Sequence, residues 1–154
     1  MGFVEATKTC VRKTFVYSGR ASRSEFWWFY LALVLLSIAF GLIDLAMGWS
    51  AQGWRMSVIL GLPLLFPWMS ACYRRLHDSG RPGYLALPLF AVSFGFVLLE
   101  LVPERFWVGS TTILGGIYLG SFLLTLYWMT RPSQTGANQY GHEKDPRYYR
   151  EVFE

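Results

Sequence analysis

The fold is decided by the uninterrupted apolar stretch WWFYLALVLLSIAFGLIDLAM, residues 27–47. A helix needs about 20 such residues to cross roughly 30 Å of hydrocarbon. Three further runs of similar character follow at Met56–Tyr73, Tyr84–Val102 and Trp107–Met129. The sequence therefore predicts an all-α membrane protein with four transmembrane helices.

The composition agrees with this prediction. The chain has 154 residues, of which 53% are hydrophobic, 18% aromatic and only 16% charged, whereas soluble domains average about 25% charged residues. The four runs and their connections occupy nearly the whole length. We therefore expect a single membrane domain over residues 1–154, ending in a cytoplasmic tail at 130–154, with no separate soluble catalytic domain.

The positive charges predict the orientation. Twelve of the fourteen Lys and Arg residues lie in the N-terminal flank, the second connection and the tail, at Lys8, Arg12, Lys13, Arg20, Arg23, Arg74, Arg75, Arg81, Arg131, Lys144, Arg147 and Arg150. Basic loops stay on the cytoplasmic side of a membrane, so both termini and the middle connection should be cytoplasmic. Because the basic residues lie beside span ends, we expect no nucleic-acid partner despite the net charge of +4.

The residues before the first span carry helix signals of their own. Apolar residues recur at helical spacing between Phe3 and Phe15, which predicts a short interfacial helix. Ser22 and Glu25 form a capping-box pattern, so the first span should begin near Arg23. The run is too long and starts too late for a cleaved signal peptide, and we interpret it as a retained span.

The second span contains two prolines four residues apart, Pro63 and Pro67. Each proline removes a backbone donor and pushes against the preceding turn, so we expect a kinked helix. A kink of this kind is tolerated in a membrane when neighbouring helices satisfy the released carbonyls. The prolines therefore favour a packed bundle.

Three polar segments should meet at the cytoplasmic face, at residues 19–25, 74–81 and 135–141. Arginine forks and free amides at a helix start both bind anions, so we interpret these segments as a site for a phospholipid headgroup or an acidic partner. The candidate residues are Arg20, Arg23, Arg74, Arg75, His77, Asp78, Asn138 and Tyr140, with Arg81 as a further donor and Asp78 orienting one guanidinium. The alternative is that the same residues only fix topology, cap helices and form turns.

Enzymatic chemistry is not predicted. His77 precedes Asp78 directly, and adjacent side chains point in different directions, which does not suit a general base and its orienting carboxylate. No motif marks a nucleophile, so we assign no catalytic residue. Cys10 and Cys72 fall on the predicted cytoplasmic side and lack metal-ligand spacing, so we expect no disulfide, no metal and no cofactor.

Two alternative functions remain open. Asp44 and Glu100 are acids inside the predicted spans, which would serve an ion relay in a small transporter or channel subunit, although both lie near outer span ends and should reach water. Gly116 and Gly120 form a small-residue pair that allows close helix approach. We expect this pair to pack internally, and the alternative is a homo-oligomer in a membrane assembly.

The polar segments resemble a bacterial family of small multi-pass inner-membrane proteins, domain of unknown function 805. The resemblance rests on Gly19-Arg20-Ala21-Ser22-Arg23-Ser24-Glu25-Phe26-Trp27, Arg74-Arg75-Leu76-His77-Asp78-Ser79-Gly80 and Asn138-Gln139-Tyr140-Gly141. The family pattern continues after the second motif with a small residue, Gly and a tryptophan pair, where this chain has Arg81-Pro82-Gly83-Tyr84. The resemblance implies a bacterial inner-membrane location and no particular activity.

Overall fold

The structure, a computed structural model, describes residues 1–48, 56–99 and 110–142. These residues form α1 (Phe3–Arg12), α2 (Arg23–Ala46), α3 (Met56–Asp78), α4 (Leu87–Leu99) and α5 (Ser110–Thr130), with a 3₁₀ turn at Gly83–Ala86. Within the described ranges there is no strand, only one isolated bridge between Asn138 and Gly141. The predicted all-α class is confirmed.

Helix α2 begins and ends as its local sequence dictates. The Ser22 hydroxyl accepts a hydrogen bond from the Glu25 backbone N–H at 3.2 Å, which is the serine half of the predicted capping box. The Glu25 carboxylate, expected to complete that box, forms an ion pair with Arg74. At the other end Gly48 has a positive φ of 65° and its N–H reaches the Leu45 carbonyl.

Helix α3 continues through Pro63 and Pro67 and runs five residues past the predicted span end at Tyr73. It closes at Gly80, which has φ 75°. The Gly80 N–H bonds the His77 carbonyl at 3.1 Å and the next N–H bonds the Leu76 carbonyl at 2.9 Å, a Schellman motif. The second polar segment is therefore mostly helical rather than loop.

The third predicted span starts differently from the prediction. The chain first makes the 3₁₀ turn, and α4 begins only at Leu87. Gly83 allows this turn to pack on α3, because a Cβ on Gly83 would lie 2.2 Å from the Cδ1 atom of Tyr73. Residues 100–102 and 107–109 of the predicted spans lie outside the described residues.

The helices α2 to α5 alternate in direction. The Ala21 N–H donates to the Arg74 carbonyl at 2.9 Å and the Gln134 N–H donates to the Asp78 carbonyl at 2.8 Å. With Gly83 against Tyr73, these contacts bring the start of α2, the end of α3, the start of α4 and the end of α5 together. We call this the motif end, because all three polar segments lie there.

The most buried side chains also lie at or near the motif end. The core includes Phe26 and Phe29 from α2, Leu76 from α3, Ala86 from the 3₁₀ turn and Met129 from α5. Helix α1 joins this core through Ala6 and Cys10, both 0% exposed, and keeps Val4 and Val11 exposed on its outer side. The predicted short N-terminal helix is therefore present, and its position at a membrane interface stays a prediction.

Two described helical segments, Arg23–Ala46 and Thr112–Thr130, are long and apolar enough to cross a membrane. Only 11% of the most apolar stretch of each is buried in the protein, which leaves large apolar surfaces that suit a lipid environment. Helix α4 has 13 described residues and α3 carries arginines in its last turns. The number of crossings and the orientation of the termini therefore stay predictions.

Candidate functional site at the motif end

Asp78 joins two arginines that come from different segments. Its Oδ1 atom accepts a hydrogen bond from Arg20 Nε at 2.9 Å, and its Oδ2 atom accepts from Arg75 Nη1 and from the Ser133 hydroxyl. The Arg20, Arg75 and Asp78 side chains are at most 3% exposed. Because Arg75 and Asp78 are three residues apart in α3, the helix places them on one face.

A third buried ion pair connects α2 with α3. Arg74 Nη1 donates to Glu25, and both side chains are 1% exposed. Arg74 also contacts α1, since its Nη2 atom lies 3.8 Å from Cys10 Sγ. Ser70, one turn earlier in α3, accepts from Arg74 Nε at 3.4 Å. We call Arg20, Arg74, Arg75, Glu25 and Asp78 the arginine cluster.

The arginine cluster holds three guanidinium groups and two carboxylates, and backbone carbonyls compensate the additional positive charge. Arg20 donates to the carbonyls of Gln134 and Gly136. Arg75 donates to the Met129 carbonyl at 3.1 Å and to the Arg131 carbonyl. The last carbonyls of a helix lack helical partners and carry partial negative charge, so Arg75 caps the C-terminal end of α5.

Burial and charge act in opposite directions on Arg75. Burial lowers the pKa of the Arg75 guanidinium from its ordinary value, while the Asp78 carboxylate raises it. An arginine stays protonated at any physiological pH. Arg75 therefore keeps its charge, and the stability of the arginine cluster depends on the completeness of its internal contacts.

His77 connects the other motif residues around the arginine cluster. Its Nδ1 atom lies 3.2 Å from the Gly19 carbonyl, so Nδ1 must carry the hydrogen. The Tyr140 ring stacks on the His77 ring with centroids 3.8 Å apart and planes 3° apart. Asn138 Nδ2 donates to the His77 carbonyl at 2.9 Å. The third polar segment is thus held against the end of α3.

The structure brings seven of the eight predicted anion-site residues into one junction, and the eighth, Arg23, has an exposed side chain. The predicted orientation of a guanidinium by Asp78 is present for both Arg20 and Arg75. The guanidinium groups of Arg20, Arg74 and Arg75 are directed at internal acceptors. Binding of an anion by these eight residues stays a prediction.

Sequence reasoning missed several residues of this junction. Glu25 was interpreted only as a cap, and neither Ser70 nor Ser133 was noted as a contact of an arginine. A carboxylate directly before an aromatic-rich apolar run signals a need for a cationic partner, because a buried charge must be paired. That signal points to a pair for Glu25 without naming Arg74.

The alternative sites have different surroundings. Asp44 is 6% exposed, so the expectation that it reaches water is wrong in this structure, and Glu100 lies outside the described residues. Gly116 and Gly120 are exposed, and a Cβ added at either would meet no atom within 4 Å. The expected internal packing at this glycine pair is therefore not found within the described part of the chain, and a homo-oligomer through it stays a prediction.

The chain is similar in sequence to known inner membrane proteins. The inner membrane protein YhaH of Escherichia coli (strain K12) is 37% identical over 87 residues, which cover 54% of this chain and 71% of YhaH. The inner membrane protein YhaI of the same organism is 33% identical over 90 residues, covering 58% of this chain and 75% of YhaI. No solved structure matches the chain.

A family model described as "Protein of unknown function (DUF805)" matches residues 14–142. The matched range contains all three polar segments, the arginine cluster and α2 to α5, and it begins after the end of α1. The chain therefore belongs to the DUF805 family of proteins of unknown function.

Proposed function

We propose that this chain is a non-enzymatic, four-span protein of the bacterial inner membrane whose motif end binds anionic phospholipid headgroups in the cytoplasmic leaflet. Its relatives are named as inner membrane proteins. In this proposal the buried arginine cluster fixes the shape of the motif end. The exposed cations around the cluster contact the lipid.

One observation carries the proposal. The three arginines of the arginine cluster are bonded internally. Four other basic side chains at the same end of the molecule are exposed, namely Lys8, Arg12, Arg23 and Arg131. Helix α1 also carries one exposed acid, Glu5, which offsets only part of this positive charge. Each basic side chain near a membrane surface contributes roughly 1 kcal/mol toward anionic lipid, so this excess favours a negatively charged leaflet.

Headgroup selectivity tests the proposal directly. We would measure by native mass spectrometry how much phosphatidylglycerol and phosphatidylethanolamine the purified full chain retains. Replacing Arg12→Gln and Arg23→Gln together should lower the preference for phosphatidylglycerol about thirtyfold, since two basic contacts are lost. Equal retention of both lipids by the unaltered chain would contradict the proposal.

A matched control uses Arg55→Gln with Arg105→Gln, which removes the same charge from the two predicted outer connections. This pair should leave the lipid preference within about twofold, because a diffuse change of net charge acts weakly beyond the roughly 10 Å Debye length. A loss equal to that of the Arg12 and Arg23 variant would mean that net charge alone decides retention.

The proposed cytoplasmic location of the motif end requires a separate test. Cys10 and Cys72 are both 0% exposed, so neither would report access from outside. Ser18 is exposed at the motif end and Met47 is 63% exposed at the other end of α2. In intact cells an impermeant maleimide should label a Met47→Cys variant and not a Ser18→Cys variant. The reverse pattern would overturn a cytoplasmic motif end.

A transporter or channel subunit is the second candidate, favoured by one observation. Asp44 is 6% exposed, although its neighbours Ile43 and Leu45 are 41% and 77% exposed. A shielded acid within an apolar helix is a functional candidate by default. An Asp44→Asn variant should abolish ion flux into proteoliposomes if this function holds, and should leave phosphatidylglycerol retention unchanged.

A further inference from the structure

A crevice of about 310 Å³ opens between the beginning of α4 and the second half of α5. Leu85 and Pro88 form one wall, and Leu124 and Trp128 form the other. Most of its lining is apolar, and it lies between helices that expose large apolar surfaces. A crevice of this kind suits a hydrocarbon chain.

The local sequence explains why this space exists. Gly83 allows the 3₁₀ turn to pack closely on Tyr73 of α3. On the α5 side, two small residues line the crevice, Ser121 and Thr125. Ser121 is half-buried and Thr125 is 3% exposed. Neither side chain is large enough to close the gap left between the two helices.

Two arginines lie close to lining residues of the crevice in the sequence, on its motif-end side. Arg131 follows Trp128 by three residues, and its guanidinium carbon lies 4.7 Å from the centroid of the Tyr127 ring. Arg81 precedes Tyr84, another lining residue, by three residues. It is half-buried, and its Nη1 atom lies 3.5 Å from the Ser79 carbonyl oxygen. Neither arginine belongs to the arginine cluster. An apolar crevice with arginines three residues from its lining residues in the sequence suits a molecule with an anionic head and an apolar tail.

The spacing along α5 agrees with the dimensions of a lipid. Thr125 lies six residues before Arg131, or about 9 Å along a helix axis. The polar interface of a bilayer is roughly 5 to 8 Å deep on each side. An arginine at headgroup depth therefore places Thr125 near the beginning of the hydrocarbon region and Ser121, one turn further along α5, deeper within it.

We infer that this crevice is a specific site for one anionic phospholipid, with Arg81 and Arg131 on its phosphate and one acyl chain between α4 and α5. The inference rests on the proposed function and sharpens it, because it assigns the lipid to a defined place. Diffuse attraction to the exposed cations needs no crevice.

The test uses phosphatidylglycerol that carries a photoreactive diazirine on one acyl chain, incorporated with the full chain into phosphatidylethanolamine vesicles. We expect cross-links concentrated on residues 84–88 and 121–128. A Ser121→Leu variant fills the crevice without changing charge, and cross-linking there should fall to the level of other lipid-exposed residues. Leu85→Trp fills the same space from the opposite wall and should act alike if Ser121→Leu folds poorly.

Gly41→Leu is the matched control. A Cβ on Gly41 meets no atom within 4 Å, and this residue of α2 does not line the crevice. The control adds the same apolar bulk to the membrane-facing surface and should leave the cross-linked positions unchanged. Arg81→Gln with Arg131→Gln should reduce the crevice preference for phosphatidylglycerol over a diazirine-labelled phosphatidylethanolamine about thirtyfold.

The outcomes separate the inference from the proposed function. Cross-links spread over α1 and α2, unaffected by both filling variants, would overturn the crevice site and leave headgroup binding by the exposed cations standing. Equal labelling of the crevice by both lipids would overturn the anionic site. No preference for phosphatidylglycerol anywhere on the protein would remove the proposed function itself.

Discussion

The motif end and the opposite halves of the helices are held by different forces. At the motif end, Arg20, Arg75 and Asp78 are almost fully buried and linked by directional contacts. Toward the other end, α2 exposes Leu42 at 60% and Leu45 at 77%, and α5 exposes Leu119 at 56%. Polar contacts thus fix one end, whereas apolar side chains face outward over most of the remaining helix length.

This difference shows where substitutions should matter. A buried charge that loses its partner keeps its desolvation cost, so removing one member of such a pair is far more harmful than the pair's net contribution suggests. Apolar side chains that face lipid leave no cavity in the protein when they change. We therefore expect sensitivity to substitution to be concentrated at the motif end.

The largest expected effect is at Asp78. Replacing Asp78→Ala removes the shared acceptor of Arg20 and Arg75 and leaves two buried guanidinium groups without their carboxylate. Breaking a buried pair in this way costs about 3 to 5 kcal/mol. Thermal unfolding of the detergent-solubilised chain, followed by helical circular dichroism, measures the loss.

Glu5→Ala is the matched control, because Glu5 is an exposed acid on α1. Its removal should change the free energy of unfolding by less than about 0.5 kcal/mol. If the Asp78 and Glu5 variants unfold alike, the arginine cluster does not hold the motif end, and the contrast between the two ends is lost.

The sequence predicted α2 well because its signals are local. The Ser22 cap and the long apolar run determine where that helix begins and how it continues. Both signals can be recognised from the local sequence alone. Helix α3 ends five residues beyond the predicted span end at Tyr73, because hydropathy marks only the apolar part of a helix and α3 continues through Arg74, Arg75 and Asp78. These three residues have partners that lie more than 45 positions away, at Glu25, Arg20 and Met129.

The candidate site was likewise predictable only as far as local sequence signals determine it. The three polar segments were correctly expected at one end, because charge placement at span ends is a sequence property. Which carboxylate would neutralise which arginine was not predictable, since pairing is decided by helix packing. The crevice between α4 and α5 was also not predictable, because it results from how the 3₁₀ turn packs against Tyr73.

Two glycines with different surroundings, one in the 3₁₀ turn and one inside α3, give predictions of intermediate size. A Cβ on Gly83 would lie within 2.8 Å of three Tyr73 ring atoms, whereas a Cβ on Gly61 would meet nothing within 4 Å. Gly83→Ala should therefore destabilise the chain by about 1 to 3 kcal/mol through overpacking. Gly61→Ala, inside α3, should stabilise it by about 0.5 to 1 kcal/mol.

Thermal unfolding of both variants against the unaltered chain measures these changes. Gly83→Ala should cost much less stability when it is made in a Tyr73→Ala variant than in the unaltered chain, because the added Cβ clashes with the Tyr73 ring. If Gly83→Ala and Gly61→Ala shift stability equally, the close packing of the 3₁₀ turn on α3 is not a feature of the folded protein.

The smallest expected effect is the pH dependence that His77 contributes at the motif end. Burial lowers the pKa of His77 from its ordinary value, and the hydrogen bond to the Gly19 carbonyl raises it in part. The unfolded chain, with a histidine pKa of about 6.5, therefore binds the proton more readily than the folded chain. Stability from this residue is complete above pH 6.5 and declines as the pH falls through the lower folded value.

Unfolding curves of the unaltered chain and a His77→Phe variant between pH 8 and pH 5 isolate this contribution. Phenylalanine keeps a ring that can stack on Tyr140, as His77 does, and it does not titrate. Below pH 6.5 the unaltered chain should lose stability relative to the variant, by a modest amount because His77 is only half-buried and water screens its charge. Carboxylates that titrate at lower pH are present in both proteins and cancel in the difference. Parallel curves, or a relative gain by the unaltered chain on acidification, would show that His77 is not shielded by the tail, and the motif end would then be more open to water than its contacts indicate.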